Sequence, residues 1–195
     1  MRKGEATKAR IVEEASRQAA VRGLAGVSLN DVAEAVGLSK SGLFKHFDSK
    51  EAMQHDVVAG MLDRFRALVW TPSEALPPGR ERLEAVFERW LDWCDVEHTE
   101  SGCPIHAFTV ELDDQPGPLR ELLHQSLQRW YRTLARDFAA LRDPALGDDE
   151  AKLAAFQLKS FIFGHGEESR LMGDDNARAM TRAAFRALVE RTVRG

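Results

Sequence analysis

The chain has 195 residues, 44% hydrophobic and 30% charged, with a net charge of −4. That is enough apolar material for a sizeable core, either in one domain or in a small domain joined to a larger one. No run of eighteen apolar residues exists to span a membrane, the first ten residues lack the apolar stretch of a secretory signal, and two cysteines, Cys94 and Cys103, are too few for a disulfide framework; a cytoplasmic protein without a membrane partner is expected.

The charge is unevenly spread. Residues 1–50 hold nine Lys/Arg against six Asp/Glu, a net of +3, which leaves −7 for the rest of the chain. A mildly basic head on an acidic body suits a nucleic-acid-reading module attached to a larger domain. No period-two alternation marks a strand, and the pattern predicts helices throughout. The first covers residues 6–21, with Ile11, Val12, Ala15 and Ala19 on one stripe and Gly23 as its stop. Ser28 caps a second, short helix reaching residue 36, and Asp31 lies in its first turn. Gly37 breaks it, and Ser39 caps a third helix over residues 40–47. Asp48 or Ser49 starts a fourth that runs to residue 69.

Three prolines and a glycine make residues 71–79 a connector. A fifth helix over residues 80–97 carries Leu83, Val86, Phe87, Trp90, Leu91 and Cys94 at helical spacing. Further helices are expected over residues 104–112, 119–141, 148–172 and 176–193, separated by Gly- and Pro-containing breaks. The expectation is an all-α fold of about nine helices. Residues 1–50 are expected to form a three-helix helix-turn-helix head, joined by the fourth helix to a larger helical body over residues 51–195.

The segment from Leu29 to Met53 carries the chemistry. Two short helices flank Gly37-Leu38-Ser39. Val32, Ala33 and Val36 would pack against Leu43, Phe44 and Phe47, with Leu38 tucked between the helices, so that the outer face of the second helix enters a major groove. That face presents Ser39, Lys40, Ser41, Gly42, Lys45 and His46. Short residues let the backbone approach the duplex, and the lysines donate to guanine edges or phosphates. Ser28 and Lys50 stand at the starts of flanking helices, where amides and a cation favour phosphate. The plain alternative is a helical bundle with a solvated Lys/Ser face.

These residues also resemble the N-terminal domain of the TetR family of regulators. The matching stretches are residues 11–15, 23–29, 31–33 and 36–40, and above all Leu43-Phe44-Lys45-His46-Phe47-Asp48-Ser49-Lys50-Glu51. The family usually has tyrosine where Phe44 stands. The resemblance implies an all-α homodimer that binds double-stranded operator DNA as a repressor and is released by a small effector. It also implies that residues 51–195 are a ligand-binding and dimerisation body whose last two helices form a four-helix dimer interface, with Phe156, Phe161, Ala183, Ala184, Ala187 and Leu188 as candidates.

In the body, Phe87, Trp90, Phe108, Trp130 and Phe138, with Cys103 and His106, are candidates to line a pocket for an apolar or amphipathic effector. Aromatics at helical spacing are more often ordinary core. Cys103 opens a helix, which favours its thiolate, so a redox- or electrophile-sensing variant of the same scaffold is an alternative reading; a buried small hydrophobe is the plainer one. A small-molecule-modifying enzyme is the remote alternative, since Cys103 with His106 and Glu111 is the sole nucleophile–base set. No catalytic residue, cofactor or metal is expected: the six histidines are scattered, and no phosphate-loop pattern is complete.

Overall fold

The computed structural model describes residues 3–97 and 101–194, with nine α-helices and no strand among them. They are α1 (Lys3–Arg22), α2 (Leu29–Ala35), α3 (Lys40–Leu43), α4 (Lys50–Phe65), α5 (Arg80–Asp92), α6 (Pro104–Leu112), α7 (Pro118–Ala139), α8 (Asp148–Gly166) and α9 (Ala177–Arg194). The all-α expectation therefore holds. No helix among the described residues is long and apolar enough to cross a membrane.

Helix ends differ from the periodic reading where backbone bonding changes. α3 stops at Leu43 rather than Phe47, because the amides of Lys45 and His46 donate to the Gly42 and Leu43 carbonyls, tightening the chain to i→i−3 bonds. That tightening turns Phe47 inward, where it is buried. α4 stops at Phe65 and continues as a π-helical turn, Arg66–Trp70, before Pro72, which has no amide to donate. π-helical turns likewise follow α5 (Trp93–Glu97) and α8 (Glu167–Leu171).

The chain packs as two compact units, residues 1–64 with 103–124, and residues 65–102 with 125–195. The first unit centres on Ile11, Ala15 and Ala19 of α1, Val32 and Ala33 of α2, Leu43 of α3, and Met53, Val57 and Val58 of α4, all buried. α6 packs against α1 within this unit.

The second unit is built on α5, α8 and α9. Leu83, Val86, Phe87, Trp90 and Leu91 bury one stripe of α5. Ala151, Ala154, Ala155, Leu158 and Ile162 bury the inner face of α8, where small side chains admit a close partner, and α9 is that partner. Phe185 of α9 stacks on Phe87, with ring centroids 4.0 Å apart and planes 12° from parallel. Arg178 of α9 donates to Asp92 (2.6 Å) and Asp95 (2.7 Å), and Arg182 forks onto Glu88 (2.6 and 2.8 Å), tying α9 to α5 and its π-helical turn. Arg182 holds the Glu88 carboxyl below its ordinary pKa, against the opposing effect of burial. His165 of α8 is buried, with Nε2 2.6 Å from Asp95 Oδ1.

Candidate functional site

The helix-turn-helix is closed by side-chain caps and one glycine. Ser28 Oγ accepts from the Asp31 amide at 3.3 Å at the start of α2, and Ser39 Oγ accepts from the Gly42 amide at 3.1 Å at the start of α3. Between them Gly37 adopts φ +72°, a left-handed conformation that costs a Cβ-bearing residue. The Leu38 amide reaches the Ala33 carbonyl (2.8 Å) and the Gly37 amide the Glu34 carbonyl (3.0 Å), the paired bonds of a Schellman closure. Leu43 is fully buried and anchors α3 from its inner side.

The opposite side of α3 carries the expected cations. Lys40, Ser41 and Lys45 are exposed, and Gly42 and His46 are half-buried. Lys40 and Lys45 make no side-chain hydrogen bond or ion pair among the described residues, so both ammonium groups are available. Ser39 Oγ also lies 3.0 Å from Ser41 Oγ, which orients both hydroxyls at the helix start. Phe44 departs from the expected packing: it is 40% exposed and shares the outer side with Lys45. The turn after Leu43 rotates it away from the core that Phe47 fills. Leu38 is half-buried.

Lys50 has a structural role that the sequence did not announce. Its Nζ donates to the Ala25 carbonyl at 3.0 Å, while Gln54 Nε2 donates to the Leu24 carbonyl at 2.8 Å. α4 thus grips the turn between α1 and α2 by its carbonyls. Glu111 of α6 grips the same turn by its amides, accepting from Leu24 N at 2.7 Å and from Ala25 N. This carboxylate is therefore engaged with backbone, not poised as a base for Cys103. Gly23, at φ +74°, leaves room for it: a Cβ there would stand 2.8 Å from Glu111 Oε2.

This latch predicts a stability effect. Glu111→Ala leaves the Leu24 amide without its acceptor and should cost about 1–3 kcal/mol. Gly23→Ala should match or exceed that, because it adds about 1–2 kcal/mol of left-handed backbone strain while displacing the carboxylate. Urea unfolding of both variants measures this, and midpoints equal to the parent's would remove Glu111 from the support of the turn.

The pocket candidates fall in both packing units. Cys103, His106 and Phe108 lie in the first. Cys103 is half-buried at the N-cap position of α6 and gives no side-chain cap. Burial holds the His106 imidazole below its ordinary pKa and so favours its neutral form. Phe108 is fully buried. Phe87, Trp90, Trp130 and Phe138 lie in the second unit. Phe87 and Phe138 are fully buried, and Phe87 is occupied by its stack on Phe185. Trp90 and Trp130 stand together, with centroids 5.6 Å apart.

The dimer candidates divide by exposure. Phe156 is 56% exposed; Ala183 and Ala187 are exposed on the outer side of α9; Phe161 is half-buried. Leu188 is buried within its own subunit, because its register on α9 puts it beside Phe185 and Val189 on the inward side. Ala184 is half-buried, outside the buried stripe of α9. Exposed Leu153, an apolar residue of the same helix as Phe156, and Met180, which the sequence reading did not single out, extend the outer side of the α8–α9 pair.

Two family models match the chain: "Bacterial regulatory proteins, tetR family" over residues 11–57, and "Tetracyclin repressor-like, C-terminal domain" over residues 79–185. The chain belongs to the TetR family. Its function class follows, a helix-turn-helix transcriptional regulator. Among relatives, the HTH-type transcriptional repressor DhaR of Mycobacterium sp. (strain GP1) is 28% identical over 63% of this chain, and the match spans 60% of DhaR. A TetR transcriptional regulator from Chloroflexus aurantiacus shares the fold, with a TM-score of 0.80, 23% identity and coverage of 97% of this chain and 96% of that one. AibR, solved in complex with isovaleryl coenzyme A and operator DNA, has a TM-score of 0.72 at 19% identity, covering 92% of this chain and 98% of AibR.

Proposed function

We propose that this TetR-family chain is a homodimeric, cytoplasmic repressor that holds a pseudo-palindromic operator and releases it when an apolar or amphipathic small molecule binds its body. The observation that carries the reading is the outer side of α3, where Lys40 and Lys45 stand exposed, without a partner among the described residues, on a helix capped by Ser39 and anchored by Leu43. Ser28, Ser39, Ser41, Gly42 and His46 complete the DNA contacts. Lys50 has three donors and directs one to Ala25, which leaves others for a phosphate. In this reading residues 1–50 read the duplex, and residues 51–195 sense the effector and dimerise. The chain turns over no substrate.

Repression is supported by the family and by a relative described as a repressor. That a body of this fold takes a small molecule is supported by AibR, whose structure is of a complex with isovaleryl coenzyme A and operator DNA. Dimerisation through α8 and α9 is supported by the exposed apolar residues Leu153, Phe156 and Met180, with Ala183 and Ala187 small enough for close helix approach. Two-fold symmetry would present two copies of α3 and so demand two inverted half-sites. The effector must favour one spacing of the two heads over the other, since equal affinity for both shifts nothing.

Selection of duplexes from a random pool tests the reading, with sedimentation of the winning complex. Enrichment of an inverted repeat bound by an even number of subunits is the expected result. A pool that enriches nothing at low salt would overturn operator reading, and an enriched single half-site bound by a monomer would overturn the dimer.

A further inference from the structure

The second packing unit contains a cluster of aromatic rings with Phe65 at its centre. The Phe65 ring meets Trp90, Trp93 and Trp130 edge to face, at centroid distances of 5.7, 5.3 and 5.4 Å. Trp130 also meets Trp90 at 5.6 Å and Trp70 at 5.9 Å. Phe65, Trp90 and Trp93 are buried, while Trp70 and Trp130 are half-buried and give the cluster its access.

Two polar atoms stand out in this apolar setting. The indole N–H groups of Trp90 and Trp130 are both buried, and neither has an acceptor among the described residues. Trp90 is only 4% exposed. An indole nitrogen is a donor and nothing else, so it cannot relieve burial by accepting or by ionising. Buried indoles normally find a partner, because an unmade hydrogen bond in a low dielectric is costly. Here two such donors sit on neighbouring rings, brought together from α5 and α7.

One cation lies over these rings among the described residues, and it is already neutralised. The Arg82 guanidinium lies 5.1 Å over the Trp70 ring, but it is bound to Asp137 and to the Leu76 carbonyl. Arg89, also on α5, donates to Ser73 Oγ and the Ala85 carbonyl. An anionic oxygen placed among these rings would lose its water with the one cation over them already neutralised, whereas a neutral carbonyl has far less hydration to lose and still accepts from N–H, in a weaker bond than a carboxylate makes. We propose that this cluster binds a flat, apolar, uncharged molecule whose carbonyl oxygen accepts from the indole N–H groups of Trp90 and Trp130. The inference rests on the reading of the body as effector-responsive and specifies that effector's chemistry: a ketone, ester or quinone, not a free acid.

Three probes of one ring system test it on the full-length protein: 1-acetonaphthone, 1-ethylnaphthalene and 1-naphthoate. Titration calorimetry should find the ketone about tenfold tighter than the hydrocarbon for each hydrogen bond formed, with the carboxylate weaker than the ketone. In nitrogen-15 spectra the Trp90 and Trp130 indole signals, assigned through Trp90→Phe and Trp130→Phe, should move downfield with the ketone and not with the hydrocarbon. The same variants should lose the preference for the ketone while still binding the hydrocarbon; if either fails to fold, the parent's probe ranking and indole shifts decide. Equal affinity for ketone and hydrocarbon, no binding of any probe, or indole signals that stay in place because ring faces already satisfy them would overturn the proposal. Operator affinity is measured separately. Selective ketone binding that leaves operator affinity unchanged keeps this site and overturns effector release, while release by the ketone with unmoved indole signals does the reverse.

Discussion

Replacing Lys40 and Lys45 together by alanine is expected to weaken operator binding by about a hundredfold or more at moderate salt, since each charged interaction with a base or phosphate contributes about 1–3 kcal/mol. The slope of log affinity against log salt should become shallower by about 0.9 for every phosphate that is no longer neutralised. The fold should not suffer. Both side chains are exposed and without partners among the described residues, so stability should stay within about 0.5 kcal/mol of the parent. The single variants separate two roles. A lysine that touches only phosphate weakens all sequences alike, whereas one that reads a guanine also relaxes preference at a single position. Filter-binding titrations over a salt series on the selected operator and a scrambled duplex measure both. An unchanged affinity would mean that α3 does not face the duplex with this side.

The other large effect concerns stability. Asp137 on α7 has a fully buried side chain and binds Arg82 Nε through both oxygens, at 3.0 and 3.1 Å, with Nη2 a further donor. Arg82 completes its set on the Leu76 carbonyl at 2.9 Å, so this pair joins α7 to α5 and to the loop before it. Burial pushes the Asp137 carboxyl above its ordinary pKa, and the Arg82 guanidinium pulls it back. Asp137→Ala would leave a guanidinium that is 11% exposed without its counter-charge, a change expected to cost about 3–5 kcal/mol. Asp137→Asn keeps an acceptor and should cost less. The double variant Arg82→Met/Asp137→Leu should recover most of the loss, because a buried pair exchanged for apolar groups of similar volume is often neutral. Urea unfolding gives all three numbers. An Asp137→Ala loss under about 1 kcal/mol would show that water reaches Arg82 freely.

Much of the fold was legible because its signals are local. Ser28 and Ser39 cap helices through bonds three residues away, and Gly37 takes a backbone angle that few other residues tolerate. α6 matches its expected ends because Pro104 opens it and the apolar pattern closes at Leu112. The candidate DNA site was legible for the same reason. The exposed cations of α3 follow from the turn that precedes them and from Leu43 and Phe47 on the inner side.

Phe44 shows where local reading stops. Its type and spacing suit a core position, but the tightened turn after Leu43 hands the inward place to Phe47. Leu188 shows the converse, a residue with the right chemistry for a subunit interface whose register on α9 points it into its own core.

Sequence alone determined the helical class, the order of the elements and the helix-turn-helix, because hydrophobic period, caps and positive-φ glycines act over four residues or fewer. Tertiary structure alone decided what distant residues do together. Glu111 lies 87 positions from the Leu24 amide it holds, Asp137 lies 55 from Arg82, and Trp130 meets Trp90 across two helices. No period or motif encodes such partners. A carboxylate reads alike in sequence whether it faces water, an arginine or a turn of backbone, and only packing sets which of these it meets, and so its energy.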